Sequence, residues 1–492
     1  MTHRHAAAPE EIQAHAERLT RLIRSAIADS GGALPFDRFM ELALYAPGLG
    51  YYVAGATKLG ADGDFVTAPE ISPLYGRCVA EQCLEVLAAL GGGDVLEFGA
   101  GSGALAAELL LALADADALP ERYLILELSP ELAARQRALL QERAPALCGL
   151  VQWTDALPAG LRGVVLANEM LDAMPVHRFC IGDTGTVLEV FVETDGDGFS
   201  VRAGAPVSAG LVDAVGLIQA RAKADGRALE PGFCSEINLR LDPWVRAVAD
   251  SLAAGLTLLI DYGYPRAEYY RPERGGGTLM CHFRHQAYAD PFVRIGLQDI
   301  TAHVDFSALA DAGIDAGLSL AGYTTQANFL LGCGLDRLLA RSATDPAAML
   351  DLTAGVKQLL LPTAMGERFH VLALSKHLEP PEPDGWCGFS LRDLRGRIGK
   401  GEGRGARGEG QPYAIVMNRG PWPSTLGPIQ SAHGQCNTAP HSARSQAPPP
   451  SPLAPSYFPK YIGTIASISV GWMPSSSSPL WSPQMLGVCM EW

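Results

Sequence analysis

The segment DVLEFGAGSGALAAELLLALAD, residues 94–115, constrains the fold more than any other. An apolar run with strand character meets a loop with glycine at every second position, Gly99, Gly101 and Gly103, and a helix-like run follows. The alternation then continues. YLILEL reads as a second strand, PELAARQRALLQERA as a helix, GLVQW as a third strand and GVVLANEM as a fourth. LTLLIDYG reads as an apolar fifth strand, DFSALADAGIDAG as a helix, and SLAGYTTQ and RFHVLALSK as two closing strands. Strands separated by helices predict an α/β fold with a mostly parallel sheet covered on both faces, since a parallel connection needs a long crossover. The two closing strands are expected to pair as an antiparallel edge. TVLEVFVETDG and GFSVRAG are polar strands that break the pattern and predict an insertion at about residues 180–250.

The N-terminal stretch predicts an amphipathic helix with Ile12, Leu19, Leu22, Ile23 and Ile27 on one side. Residues 1–90 are taken as a helical and lid region, and 91–398 as the main domain. In GADGDFVTAPEIS, Gly60 and Gly63 supply freedom for Phe65, Thr67 and Glu70 to fold over a ligand. After residue 398 the composition shifts to Pro, Ser and Gly, as in GKGEGRGARGEGQ and APPPSPLAPSYFP. Such a segment buries too little apolar surface to offset its ordering entropy. It reads as a disordered tail, or as translation in a shifted frame past the natural end.

Charge and cysteine spacing narrow the function. The chain carries 38 basic and 53 acidic residues, a net charge of −15, which argues against a general nucleic-acid surface. Cys78, Cys83, Cys148, Cys180, Cys234, Cys281 and Cys333 form no metal spacing, so no metal is expected. They read as small buried residues of a reducing compartment. No apolar run is long enough to span a membrane, and Glu10, Glu11 and Glu17 speak against a transit sequence, so a cytoplasmic location is expected.

In a sheet of this kind ligands sit beyond the carboxyl ends of the strands, where strand order reverses. Glycines there admit positive φ and close backbone approach. The spacing GxGxG departs from the GxGxxG of a dinucleotide site. Glu97, just ahead of the loop, is placed to bind a cationic amino-acid group. Glu127 ends the second strand, where an acid accepts both ribose hydroxyls; it reads equally as a cap for the helix that begins at Ser129-Pro130. Asp155, after the third strand, is an acceptor for an adenine amine or a surface turn acid. An acid, a glycine loop and two further acids at successive strand ends describe a site for S-adenosylmethionine (SAM).

Longer stretches carry a family resemblance. LEFGAGSGALA (96–106), ANEMLDAMPVHRF (167–179), LLIDYGYPRAEYYRPERGGGTLMCHFRH (258–285), DPFVRIGLQDITAHVDFSALA (290–310) and MGERFHVLALSK (365–376) resemble the MidA family of class I SAM-dependent methyltransferases. The likeness covers roughly residues 30–397 and includes GFSLRDLRGRI (388–398), similar to the usual end of bacterial members. It implies a Rossmann-like methyltransferase fold, a SAM loop at Gly99, Gly101 and Gly103 with Glu97 beside it, and methyl transfer to a protein. Mitochondrial members serve respiratory complex I assembly and are linked to symmetric dimethylation of an arginine on a complex I subunit. The loop departs from their GPGRG-like form at Ala100 and Ser102.

An arginine acceptor stays protonated, so carboxylates must orient it and a group must take a proton after transfer. In GVVLANEMLDAMP, Glu169 is the candidate for acceptor binding and Asp172 for a second carboxylate; an Asn/Asp-rich turn before Pro175 is the plain alternative. His303, flanked by Asp299 and Asp305, is the candidate proton acceptor. Asp261-Tyr262-Gly263 ends the fifth strand near the same pocket, and His282, Arg284 and His285 offer a partner surface. A small-molecule methyltransferase and a non-catalytic assembly factor remain as alternatives.

Overall fold

A computed structural model describes residues 9–53, 67–342 and 346–398. The chain opens with α1 (Pro9–Asp29), α2 (Phe36–Tyr45), α3 (Ala68–Ile71) and α4 (Pro73–Leu90). Then come β1 (Asp94–Phe98), α5 (Ala104–Asp115), β2 (Tyr123–Leu126), α6 (Pro130–Arg143), β3 (Val151–Thr154) and β4 (Leu161–Asn168). After an insertion the sheet resumes with β5 (Leu252–Tyr264), β6 (Ser319–Thr325) and β7 (Phe369–Lys376).

These strands lie in the order β6-β7-β5-β4-β1-β2-β3. β5, β4, β1, β2 and β3 are mutually parallel, whereas β7 runs antiparallel to both β5 and β6. The closing strands therefore pair as expected, with β7 inside the sheet and β6 at its rim. The chain steps from β1 to β2 and β3 on one side and then crosses to β4 on the other. This reversal opens a crevice at the carboxyl ends of β1 and β4.

Strand alternation divides the core between two faces. Val95, Val164, Leu166 and Leu258 pack with Val79 and Cys83 of α4 and Leu109 of α5. Leu96, Phe98, Val165 and Leu259 face the other way, toward Trp244, Val248 and Leu309 on helices Leu241–Ser251 and Phe306–Asp315. Far from the crevice the central strands approach closely. A Cβ at Gly163 would lie 1.9 Å from the carbonyl oxygen of Asp94, and the φ of this residue is +144°.

The insertion forms a second sheet in the order Leu34–Pro35, Val187–Asp195, His177–Ile181, Cys234–Ile237, with Gly198–Gly204 paired to Val187–Asp195. The N-terminal segment is thus tied to the insertion, with Leu34 opposite Val192. The Tyr45 hydroxyl also donates to the Ala173 carbonyl at 2.9 Å. On α1, Leu19, Ile23 and Ile27 are buried, but Ile12 and Leu22, expected on the same side, are 36% and 39% exposed. The stripe that packs repeats every four residues, and those two fall off it. A third, small sheet joins Met280–Phe283, Gln286–Tyr288 and Asp299–Thr301, with Arg284 and His285 both at positive φ at its hairpin tip.

The cysteine reading needs correction at one pair. Cys180 and Cys234 are opposed on antiparallel strands, their Cα atoms 4.1 Å apart, and are joined as a disulfide. Cys78, Cys83, Cys148, Cys333 and Cys387 are free thiols. Among the described residues no group of His, Cys, Asp and Glu is arranged to hold a metal, and no helix is long and apolar enough to cross a membrane. The expected tail after residue 398, and Gly60, Gly63 and Phe65 of the expected lid, lie outside the described residues.

Gly163→Ala should destabilise the fold by about 1–3 kcal/mol or more, because neither the adjacent backbone nor the positive φ accommodates a side chain. Urea unfolding of the full chain checks this; a wild-type midpoint would show that β1 and β4 can part without cost.

Candidate active site

The loop between β1 and α5 turns three times through left-handed backbone: Gly99, Gly101 and Gly103 have φ of 53°, 57° and 90°. Only glycine adopts such values freely, and their alternation exposes loop backbone to the crevice. Thr67, Pro69, Glu97, Gly99, Ala100, Gly101, Ser102, Ala104, Leu105 and Asn168 line an open cleft, about 340 Å³ when the solvent space at its mouth is included.

Glu97 is buried at the end of β1 and accepts a hydrogen bond from the Tyr123 hydroxyl at 2.7 Å. Burial pushes its carboxyl up to about 7, against the lowering effect of that bond, and the nearby Glu127 adds to the rise. A cation delivered to this cleft would relieve the desolvation.

Glu127 does not line the cleft itself. Its carboxylate accepts from the Ser129 N–H at 2.9 Å and from Gln136 Nε2 at 2.9 Å. The same Nε2 donates to the Gly101 carbonyl at 3.1 Å, and Trp153 Nε1 donates to Gln136 Oε1 at 2.8 Å. Gln136, wholly buried on α6, thus ties Glu127 to the glycine loop. No sequence motif marked it. A Cβ on Gly103 would stand 3.2 Å from the Gln136 Cα, which explains the third glycine. Burial lifts the Glu127 carboxyl to about 7, with the Ser129 and Gln136 bonds opposing. The helix cap is Ser129, whose hydroxyl accepts from the Leu132 N–H. Asp155 is exposed in the bend after β3 and is not among the cleft residues.

Beyond β4 the chain makes a strained turn. Glu169 is buried with φ +54°, a left-handed conformation uncommon outside glycine. Its N–H donates to the Ile260 carbonyl at 2.7 Å. Its Oε1 accepts from the Ala68 N–H at 3.3 Å and from Asn168 Nδ2 at 3.2 Å, while Oε2 is buried with no hydrogen-bond partner. The Tyr75 hydroxyl donates to Asn168 Oδ1 and so fixes which way that amide faces. Desolvation, then the Asp261 charge, raises the Glu169 carboxyl well above its usual range. Asp172, also buried, accepts from the Tyr262 hydroxyl at 2.7 Å. The turn therefore brings Glu169 and Asp172 together at the end of β4, and Asn168 joins them to the cleft.

His303 packs edge-on against Tyr262 and Tyr264, with ring centroids 4.9 and 5.1 Å away. Its Nδ1 is buried without a hydrogen-bond partner. Burial, reinforced by Arg274 and Arg368, lowers its pKa to about 3. The flanking acids do not orient the ring as expected. Asp305 Oδ1 caps helix Phe306–Asp315 and its Oδ2 pairs with Arg266, while Asp299 accepts from the Tyr52 hydroxyl at 2.6 Å. Thr67 lines the cleft, and its N–H donates to Glu70 at 3.1 Å.

Comparison with known proteins gives the family of the chain. Residues 78–324 match a family of S-adenosyl-L-methionine-dependent methyltransferases. The chain belongs to this family. A crystal structure from Burkholderia thailandensis, bound to S-adenosyl-homocysteine, is 42% identical, with a TM-score of 0.73 over 79% of this chain and 98% of that one. A native crystal structure from the same organism is 41% identical, with a TM-score of 0.71. Among curated relatives, the mitochondrial protein arginine methyltransferase NDUFAF7 of Danio rerio is 29% identical, over 70% of this chain and 83% of its own. The Homo sapiens protein of that name is 27% identical, over 71% of this chain and 81% of its own.

The cofactor of the methyltransferase is SAM, and the residues present fit it. Three left-handed glycines leave the loop free of side chains, and a desolvated carboxylate, Glu97, faces the same space.

Gly101→Val should abolish SAM binding, since a β-branched side chain is incompatible with φ +57° and would fill the cleft. Gln136→Ala should weaken binding about five- to tenfold, as Glu127 and Gly101 lose a shared donor. Calorimetric titration of the full chain checks both; wild-type affinity in either variant would place the cofactor elsewhere.

Proposed function

We propose that this methyltransferase acts on arginine in a protein acceptor. The observation that supports it is Glu169, a buried carboxylate with an unpartnered oxygen, strained beside a cleft residue. A planar guanidinium offers several donors and meets a carboxylate better than a neutral nucleophile does. The relatives named protein arginine methyltransferases add to this.

SAM supplies an electrophilic methyl group bonded to a sulfonium. Glu97 is assigned to its amino-acid end, Gly99, Gly101 and Gly103 to close backbone contact, Glu127 to the ribose and Asp155 to the adenine amine. Glu169 orients the guanidinium and leaves one nitrogen free to attack. A new N–CH3 bond forms, the S–CH3 bond breaks with its electron pair going to sulfur, and one proton leaves the guanidinium. Glu169, made more basic by burial, is suited to take that proton. Asp172, held by Tyr262, is the second carboxylate. His303, the other candidate for taking the proton, is kept neutral at physiological pH because burial lowers its pKa to about 3.

In its finer form the reading is symmetric dimethylation on a respiratory complex I-type subunit. It rests on the family resemblance alone; the names of the relatives give arginine as the methylated residue. The curated relatives carry mitochondrial names, which do not support the cytoplasmic location expected from Glu10, Glu11 and Glu17.

Tritiated SAM added to the full chain with cell extract should label a protein band, and acid hydrolysis of that band should yield methylarginines. Label in small soluble products would replace the acceptor class, and no label would leave an assembly factor. Glu169→Gln should slow transfer at least about 100-fold while SAM affinity is retained.

A further inference from the structure

We propose that Asp261 is a positioning residue for methyl transfer: it clasps the turn that carries Glu169 and Asp172 and fixes the acceptor-side carboxylate. The inference rests on the reading of Glu169 given above.

Asp261 is fully buried near the end of β5. Its Oδ2 accepts from three successive backbone N–H groups, Met170 at 3.1 Å, Leu171 at 2.9 Å and Asp172 at 3.2 Å. Its Oδ1 accepts from the Tyr262 N–H at 2.8 Å. The preceding residue, Ile260, takes the Glu169 N–H on its carbonyl. Four consecutive N–H groups of the turn, 169 to 172, therefore end on two consecutive residues of β5. The next residue, Tyr262, holds the Asp172 carboxylate.

Successive N–H groups pointing to one place form a concavity that binds an anion. Here the anion is the protein's own carboxylate. Its bonds are charge-assisted, and the turn cannot rotate without losing several together. This explains how Glu169 is kept at positive φ, a conformation it would otherwise leave. Asparagine reproduces the arrangement poorly. With its carbonyl turned to the three donors, its NH2 would face the Tyr262 N–H, donor against donor. Glutamate adds a methylene where the turn lies against the strand end.

The position also separates acceptor from cofactor. The hydrogen bonds of Asp261 go to the turn and to Tyr262, none to the glycine loop, so loosening the clasp should disturb Glu169 and spare the SAM cleft. A part that merely stabilised the fold would show no such split.

The test uses the full chain. In Asp261→Asn, the initial rate of tritiated methyl transfer into extract protein at saturating SAM should fall at least about tenfold. The calorimetric SAM affinity should stay within about threefold of wild type. An unchanged rate, or rate and affinity falling together, would overturn the proposal. Amide hydrogen exchange of the wild-type protein gives an answer even if the variant does not fold. The amides of Met170, Leu171 and Asp172 should exchange as slowly as those of central β5, and fast exchange there would refute the clasp. Should the wild-type protein transfer no methyl to any protein, the acceptor reading fails, and the exchange result still decides whether the clasp exists.

Discussion

Parallel pairing among β1, β4 and β5 is the constraint on which the site depends. Phe98 lies opposite Ala167, and Ala167 opposite Leu259, so β1 and β4 end almost level while β5 runs on past them to Tyr264. That register places the glycine loop, Asn168 with Glu169, and Asp261 side by side at one rim of the sheet. At the opposite end Gly163 lets the β1 and β4 backbones approach where a side chain would collide. A slip by one residue would turn every side chain to the other face and carry Glu97 away from the cleft.

The rim concentrates buried carboxylates. Burial lifts Glu97 and Glu127 each to about 7 and raises Glu169 well above the usual carboxylate range; it also raises Asp261, against four backbone N–H bonds that favour its charged form. A folded-state pKa above the unfolded value means that the folded protein holds more protons between the two. The stability tied to these groups is therefore complete below the unfolded carboxylate range and is lost as pH rises through about 7. Near neutral pH Glu97, Glu127 and Glu169 of the ligand-free protein resist ionising, while the N–H groups clasped by Asp261 favour its charged form. A cationic cofactor and a cationic acceptor are the partners that such a rim accepts at least cost.

Much of this was legible in the sequence because it is local. The glycine loop, the strand apolarity and the ends of α5 and of strand Gly198–Gly204 follow from short-range pattern. The glycine loop and the strand-end acids pointed to the cofactor, and the family-scale motifs added the acceptor class. What was not legible depends on contacts between distant residues. Gln136 looks like any polar position on α6, yet three partners meet on it. The clasp joins Asp261 to amides about 90 residues earlier, a separation no window captures. Cys180 and Cys234 gave no spacing signal because a sheet, not a motif, brings them together. Asp299 and Asp305 seemed to belong to His303 by sequence proximity; a tyrosine, an arginine and a helix end claim them instead.

The central claim is that the desolvated carboxylate of Glu97 awaits the cation of the cofactor. Carbon-13 carboxyl NMR, assigned with Glu97→Gln, measures it directly as a titration with and without SAM. Free protein should titrate Glu97 near 7, and saturating SAM should move the midpoint down by at least about one unit, as an opposite charge at contact distance does. A midpoint that stays in place while SAM is bound would contradict the account.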